Sequence, residues 1–241
     1  MTILRHAAFT LCAAVAITAS AQTIQVSKEN RTIAITATAK VLAMADTATV
    51  HIGFIAYGPD SDSAYAIGSH ISNAIIKSLT SAGIPSDAIE SENQNVSPVQ
   101  EFQVDKLTPA EKAQRKFQVT QSWTVRTRAG DAAKTLDLAV KAGANQSGQI
   151  DWSLRDEDAS QAEAAAKALQ RARAVAVEMA KGLNVPLGPL IYASNETQVE
   201  PPRPLMRPMA GAVLAQKVEP LAINPRQIEK SATVYAVFAI E

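Results

Sequence analysis

The chain has 241 residues, 23 basic and 23 acidic side chains, and a 47% hydrophobic content. That length suits one domain or two small ones, and the hydrophobic share excludes wholesale disorder. The balanced charge removes the electrostatic footprint of a nucleic-acid binder, and a single cysteine excludes a disulfide scaffold or a cysteine-rich zinc module.

Residues 1–21 read as a secretory signal peptide. Arg5 and His6 give a basic start, Ala7 to Ala19 an apolar run, and Ala19-Ser20-Ala21 a small-x-small cleavage pattern. The run is too short to cross a bilayer, which takes about 20 apolar residues; the competing reading is an uncleaved anchor. Leu11 precedes Cys12 inside the run, which argues against a lipidated cysteine. Cleavage after Ala21 leaves residues 22–241 as a 220-residue domain without cysteine, with 22 basic against 23 acidic side chains. Such a chain folds in an oxidising compartment with no disulfide chemistry of its own. No later segment reaches transmembrane length, so no stable membrane insertion is expected of the mature protein.

Alternation predicts strands over 33–40 and 47–57, with a turn near Met44-Ala45-Asp46. Gly58-Pro59-Asp60 ends the second strand. A helix capped by Asp60 or Ser61 follows, with Ala64, Ile67, Ile71, Ala74, Ile75 and Leu79 as its core stripe. Gly83 and Pro85 stop it. Residues 89–104 read as extended, broken at Pro98, and 105–116 as a loop with a short helical turn. Phe117 to Arg128 is a clear strand, Asp131 to Ala142 a short helix closed by Gly143, and Gln149 to Leu154 a strand. The longest helix covers 159–183, with Ala162, Ala165, Ala166, Leu169, Ala172, Ala176, Met179, Ala180 and Leu183 on one side. Strands are expected over 190–199 and 228–240. Between them lies a proline-rich loop, 200–209, with four prolines that no strand ladder tolerates; residues 210–219 carry no clear pattern. The order predicts an α+β fold: a mixed, largely antiparallel sheet covered by two long helices and one short one, with βαβ-like units.

Chemistry-bearing patterns are sparse. The mature chain keeps two histidines, His51 and His70, and no carboxylate stands at metal-motif spacing from them. Asp156-Glu157-Asp158 and Asp60-Ser61-Asp62 precede helices and read as caps rather than cation sites. There is no G-x-S-x-G elbow and no glycine-rich phosphate loop. Trp123 and Trp152 fall on strands, where core packing outweighs an aromatic binding platform. The Pro201-Pro202-Arg203-Pro204 stretch could dock on a neighbouring subunit as an extended segment or remain a surface loop. No catalytic, cofactor-binding or metal-ligating residue is assigned, and no cofactor is implied.

Several patterns occur in an order that resembles the bacterial SIMPL-domain family. They are Ala142-Gly143-Ala144-Asn145, Ile150-Asp151-Trp152-Ser153-Leu154 with Asp156, and the helix carrying Ala164, Ala168, Ala172-Arg173, Ala176 and Ala180. Gly83-Ile84, Asp87, Ile89 and Pro98 lie upstream, and Pro220, Ile223 and Pro225 downstream. The family's usual G-x-G and Pro-Asp near the first strand pair are reduced here to Asp46, and Arg226 stands where a glycine is common. The resemblance covers nearly all of the mature chain. It implies a periplasmic protein, with ring- or channel-shaped homo-oligomers among its relatives and no established catalytic residues. The expectation is therefore a non-enzymatic, homo-oligomeric envelope or stress-related protein. The alternatives are a small-ligand or envelope-component binding module using the sheet near Trp123 and Trp152, and a hydrolase built on His51 or His70.

Overall fold

The computed structural model describes residues 31–196 and 219–241. The signal peptide (1–21) and the proline-rich loop (200–209) lie outside the described residues. The elements are β1 Thr32–Met44, β2 Thr47–Gly58, α1 Ser61–Ser81, β3 Ile89–Pro98, α2 Glu101–Val104, α3 Pro109–Gln114, β4 Phe117–Arg128, α4 Ala132–Lys141, β5 Ile150–Ser153, α5 Glu157–Gly182, β6 Leu187–Glu196 and β7 Gln227–Ile240. The class is α+β, and α1, α5 and the shorter α4 are the three substantial helices, as the periodicity predicts.

The strands form two sheets rather than the one expected. One has the order β3-β4-β2-β5 and the other β1-β7-β6, and every paired neighbour is antiparallel. In the four-stranded sheet, β2 and β3 run the same way but are separated by β4, and β4 and β5 likewise by β2. The two βαβ-like stretches legible in the sequence are thus split units, β2-α1-β3 and β4-α4-β5, interleaved in the ferredoxin-like manner. In the other sheet β7 lies between β1 and β6, and α5 packs on one face.

The link Ala45-Asp46 separates the sheets because its backbone groups go to other segments instead of closing a hairpin. The Ala45 N–H donates to the Arg226 carbonyl, and the Asp46 carbonyl accepts from Ala129 N–H. Period-two alternation buries Ile33, Ile35, Ala37 and Val41 on β1 and Ala48, Val50, Ile52, Phe54 and Ala56 on β2. Two principal cores result. The first joins Val50, Ile52, Phe54 and Trp123 to Ile75 and Leu79 of α1 and Leu136 of α4. The second joins Ile33, Ile35, Val234 and Phe238 to Ala168, Ala172, Ala176 and Ala180 of α5.

The expected α1 stripe holds apart from Ile67, with Gly68 buried in addition, whereas the α5 stripe keeps Ala172, Ala176 and Ala180 and is otherwise shifted. On α1 the buried positions are Ala64, Gly68, Ile75 and Leu79, whereas Ile67 is 45% exposed. A Cβ on Gly68 would lie 2.8 Å from Val119 Cγ1, so the missing side chain lets α1 settle onto β4. On α5 the buried row is Ala164, Ala168, Ala172, Ala176 and Ala180, while Ala162 and Ala166 are exposed and Met179 is 46% exposed. Residues 101–104, expected to be extended, make one helical turn; the short turn expected in 105–116 is α3, closed by a Thr108/Glu111 capping box.

Candidate functional site

The polar residues singled out by sequence fall into two groups. Most bind backbone. Asp60 accepts from Ser63 N–H at 2.7 Å and Asp156 from Ala159 N–H at 2.8 Å, so both acidic clusters cap helices as expected. Glu157, beside Asp156, pairs with Lys230 at 2.9 Å. Asn145, whose residue type suits positive φ at the helix-to-strand turn, does not supply it. The positive φ of this turn belongs to Gly143 and Gly148. Asn145 instead acts as a surrogate strand: its Oδ1 accepts from Ile55 N–H at 2.8 Å and its Nδ2 donates to the Ile55 carbonyl at 3.0 Å. β5 pairs with β2 only from Thr47 to Val50, so Asn145 serves the β2 edge that β5 leaves open.

Asp46 is the most heavily used of these residues. Its Oδ1 accepts from Arg155 N–H at 2.8 Å and from the Thr47 hydroxyl at 2.9 Å. These bonds, helped by the Arg155 charge, hold its carboxyl below the ordinary aspartate value. Asp60 and Glu111 are lowered in the same way, by Ser63 and by Thr108.

The second group is the histidines. His51 lies on the β2 face turned away from the helices. Its Nε2 is 2.7 Å from Asp151 Oδ2 and its Nδ1 is 3.7 Å from Glu92 Oε1. The two carboxylates sit at different corners of the ring and do not converge on a shared point. His70 is exposed on α1, which covers the opposite face of that sheet, so the fold does not bring the two histidines together. Trp123 is 3% exposed and packs on Phe54 at 5.9 Å, and Trp152 packs on the same core. Trp123 is therefore interior, and the partly buried Trp152 packs against the same core, as the packing reading expects.

The feature that sequence reasoning missed lies at the end of β4. An open groove of about 500 Å³ is lined there by Arg126, Arg128 and Arg155 with Thr47, Thr127 and Ser153. Arg126 and Arg128 are two apart on a strand and share a face, which the sequence could have shown. Arg155 comes from the β5–α5 link and joins them only through strand pairing. On the helical side of the same strand end, a second cleft of about 380 Å³ carries Lys134 but also Asp131.

The architecture, with its buried alanine row and its Gly143/Asn145 turn, spans the stretch that a family model matches: residues 33–238 fit the SIMPL family, described as a protein of unknown function (DUF541). The chain belongs to the SIMPL family. It is also similar to the 26 kDa periplasmic immunogenic proteins of Brucella melitensis biotype 1 and of Brucella abortus strain S19. Each is 25% identical over 206 residues, covering 85% of this chain and 82% of the relative. The motifs that mark this SIMPL protein as a family member are the ones whose geometry is architectural: a turn glycine, a strand-mimicking asparagine and a row of alanines under a sheet. Among the described residues, no helix is long and apolar enough to cross a membrane.

Proposed function

We propose that this SIMPL protein is exported, sheds residues 1–21, and works in the periplasm as a non-enzymatic homo-oligomer, ring- or channel-like, with an envelope or stress-related role. The periplasmic assignment is supported by the names of the two Brucella relatives and by the signal-peptide pattern. The non-enzymatic reading is supported by where the polar side chains go: Asp46, Asp60, Asn145 and Asp156 all bind backbone groups.

One observation carries the assembly reading. α5 covers one face of the β1-β7-β6 sheet, and no other described element packs substantially on its opposite face. That face displays Leu42 at 59% and Met44 at 57% exposure on β1, an edge strand of 13 residues. An edge of that length with exposed apolar side chains is a surface for a second chain. The expected result of light scattering on the mature chain at micromolar concentration is a mass several times that of one chain. Leu42→Glu with Met44→Glu should lower that mass without loss of helix signal in circular dichroism. A strict monomer removes the assembly part of the reading.

The binding-module reading loses the surface first assigned to it, since Trp123 and Trp152 belong to the core.

A further inference from the structure

We propose that the groove at the end of β4 binds a phosphate group, held by Arg126, Arg128 and Arg155. Thr47 of β2 pairs with Arg128 on one side and with Ser153 on the other, so Arg128, Thr47 and Ser153 form one row across three strands. Thr49 pairs with Arg126, which puts that guanidinium one step along the same face. Arg155 enters from the β5–α5 link, with its backbone fixed on the Asp46 carboxylate.

Three permanent positive charges thus border one groove with no carboxylate in its lining; Asp46 lies within electrostatic reach of Arg155, and Asp131 lines the adjoining cleft that Arg126 and Arg128 also border. The Arg126 and Arg128 side chains have no hydrogen-bond or ion-pair partner among the described residues. Of the neighbouring acids, Asp46 binds Arg155 N–H and Thr47, Asp151 binds His51, and Asp156 caps α5, while Asp131 lies in the adjoining cleft. Crowding like charges is unfavourable, and a bound anion reverses the sign of that interaction.

The donor set selects the anion. Each guanidinium presents a rigid fork of N–H groups, and Ser153, on the same face, adds a hydroxyl. A carboxylate has two oxygens and a single charge, too few for three forks. A phosphate monoester has three free oxygens and about −1.5 to −2 charge near neutral pH. The volume, about 500 Å³, is that of a small-molecule site.

The test uses the mature chain labelled with ¹⁵N, reading arginine Nε–Hε resonances during titration with inorganic phosphate. A parallel sedimentation assay uses phosphatidylcholine vesicles with and without phosphatidic acid. Saturable shifts of three arginine side chains are expected. Arg126→Gln, Arg128→Gln and Arg155→Gln should each weaken binding roughly tenfold or more, and the triple variant should abolish it. All three side chains are exposed, so the variants should fold. If the triple variant does not, the single variants decide. A charge-matched control, Lys40→Gln with Lys141→Gln and Lys167→Gln, should stay within twofold of the parent. Saturation by phosphate without vesicle binding identifies a free phosphate ligand. Arginine-dependent sedimentation with phosphatidic acid vesicles alone identifies a lipid headgroup. The proposal is overturned if neither probe binds saturably, or if the lysine control loses as much affinity as the arginine variants.

Discussion

At the scale of single residues, the polar side chains of this SIMPL protein hold chain segments at fixed angles. Asp46 is the clearest case, because one carboxylate oxygen joins the start of β2 to the link before α5. Its folded-state pKa lies below the ordinary aspartate value, so its contribution is complete above that value, near 4. It is lost as the pH falls through the lower, folded value. Asp46→Asn should therefore have a lower urea midpoint than the parent at pH 7, with the gap narrowing as the pH falls below the ordinary aspartate value. A gap that stays constant from pH 7 to pH 2.5 removes the charge-based account. Asp46 was legible as a retained family position, but its two partners were not. Arg155 lies 109 residues away in sequence, and no local pattern announces a bond of that span. Asn145 shows the same limit. Its residue type suggested a turn, whereas its side chain completes a strand edge 90 residues upstream.

At the scale of elements, helix existence was readable, and so was most of the buried face of α1, but the face of α5 only in part. Sequence reading follows bulk, and so it placed Ile67, Met179 and Leu183 on the covered side. Those three are exposed; beside the expected Ile75, Leu79, Ala172, Ala176 and Ala180, the fold buries Gly68 and extends the alanine row to Ala164 and Ala168. Close approach explains the choice: small side chains let the helix axis descend onto the sheet, where dispersion contacts are made by backbone and sheet side chains. Ala172→Leu should then overpack the second core and cost about 1–3 kcal/mol. Met179→Ala, on the exposed side of the same helix, should stay within about 0.5 kcal/mol of the parent. Urea titration of both variants checks the pair, and equal effects would mean that the alanine row is not the contact surface. These alanines also carry the family resemblance, which ties that pattern to packing rather than to chemistry.

At the scale of the whole molecule, two sheets with unequal cores meet at a two-residue link. The β3-β4-β2-β5 unit buries Phe54, Ile52, Ile75, Leu79 and Trp123. The β1-β7-β6 unit relies on alanines for its helix contact, and so it gains less per buried residue. Both tryptophans belong to the first unit. Unfolding in urea should therefore be non-coincident: far-UV circular dichroism should begin to change at lower denaturant than tryptophan emission. Superimposable transitions would show that the two units unfold as one.

The sequence by itself determined the α+β class, the three main helices, nearly every strand, the helix caps and the SIMPL membership. The elements and caps are written in local periodicity and capping chemistry, which act within a turn or a strand, whereas the family membership rests on the resemblance of its motifs. Only the tertiary structure decided that β1 leaves β2 to pair with β7, that the chain makes two sheets, and that three arginines border one groove. Strand partners are chosen by burial and by backbone hydrogen bonds across up to two hundred residues of chain. A period of two says which face a residue takes and nothing about which strand lies beside it.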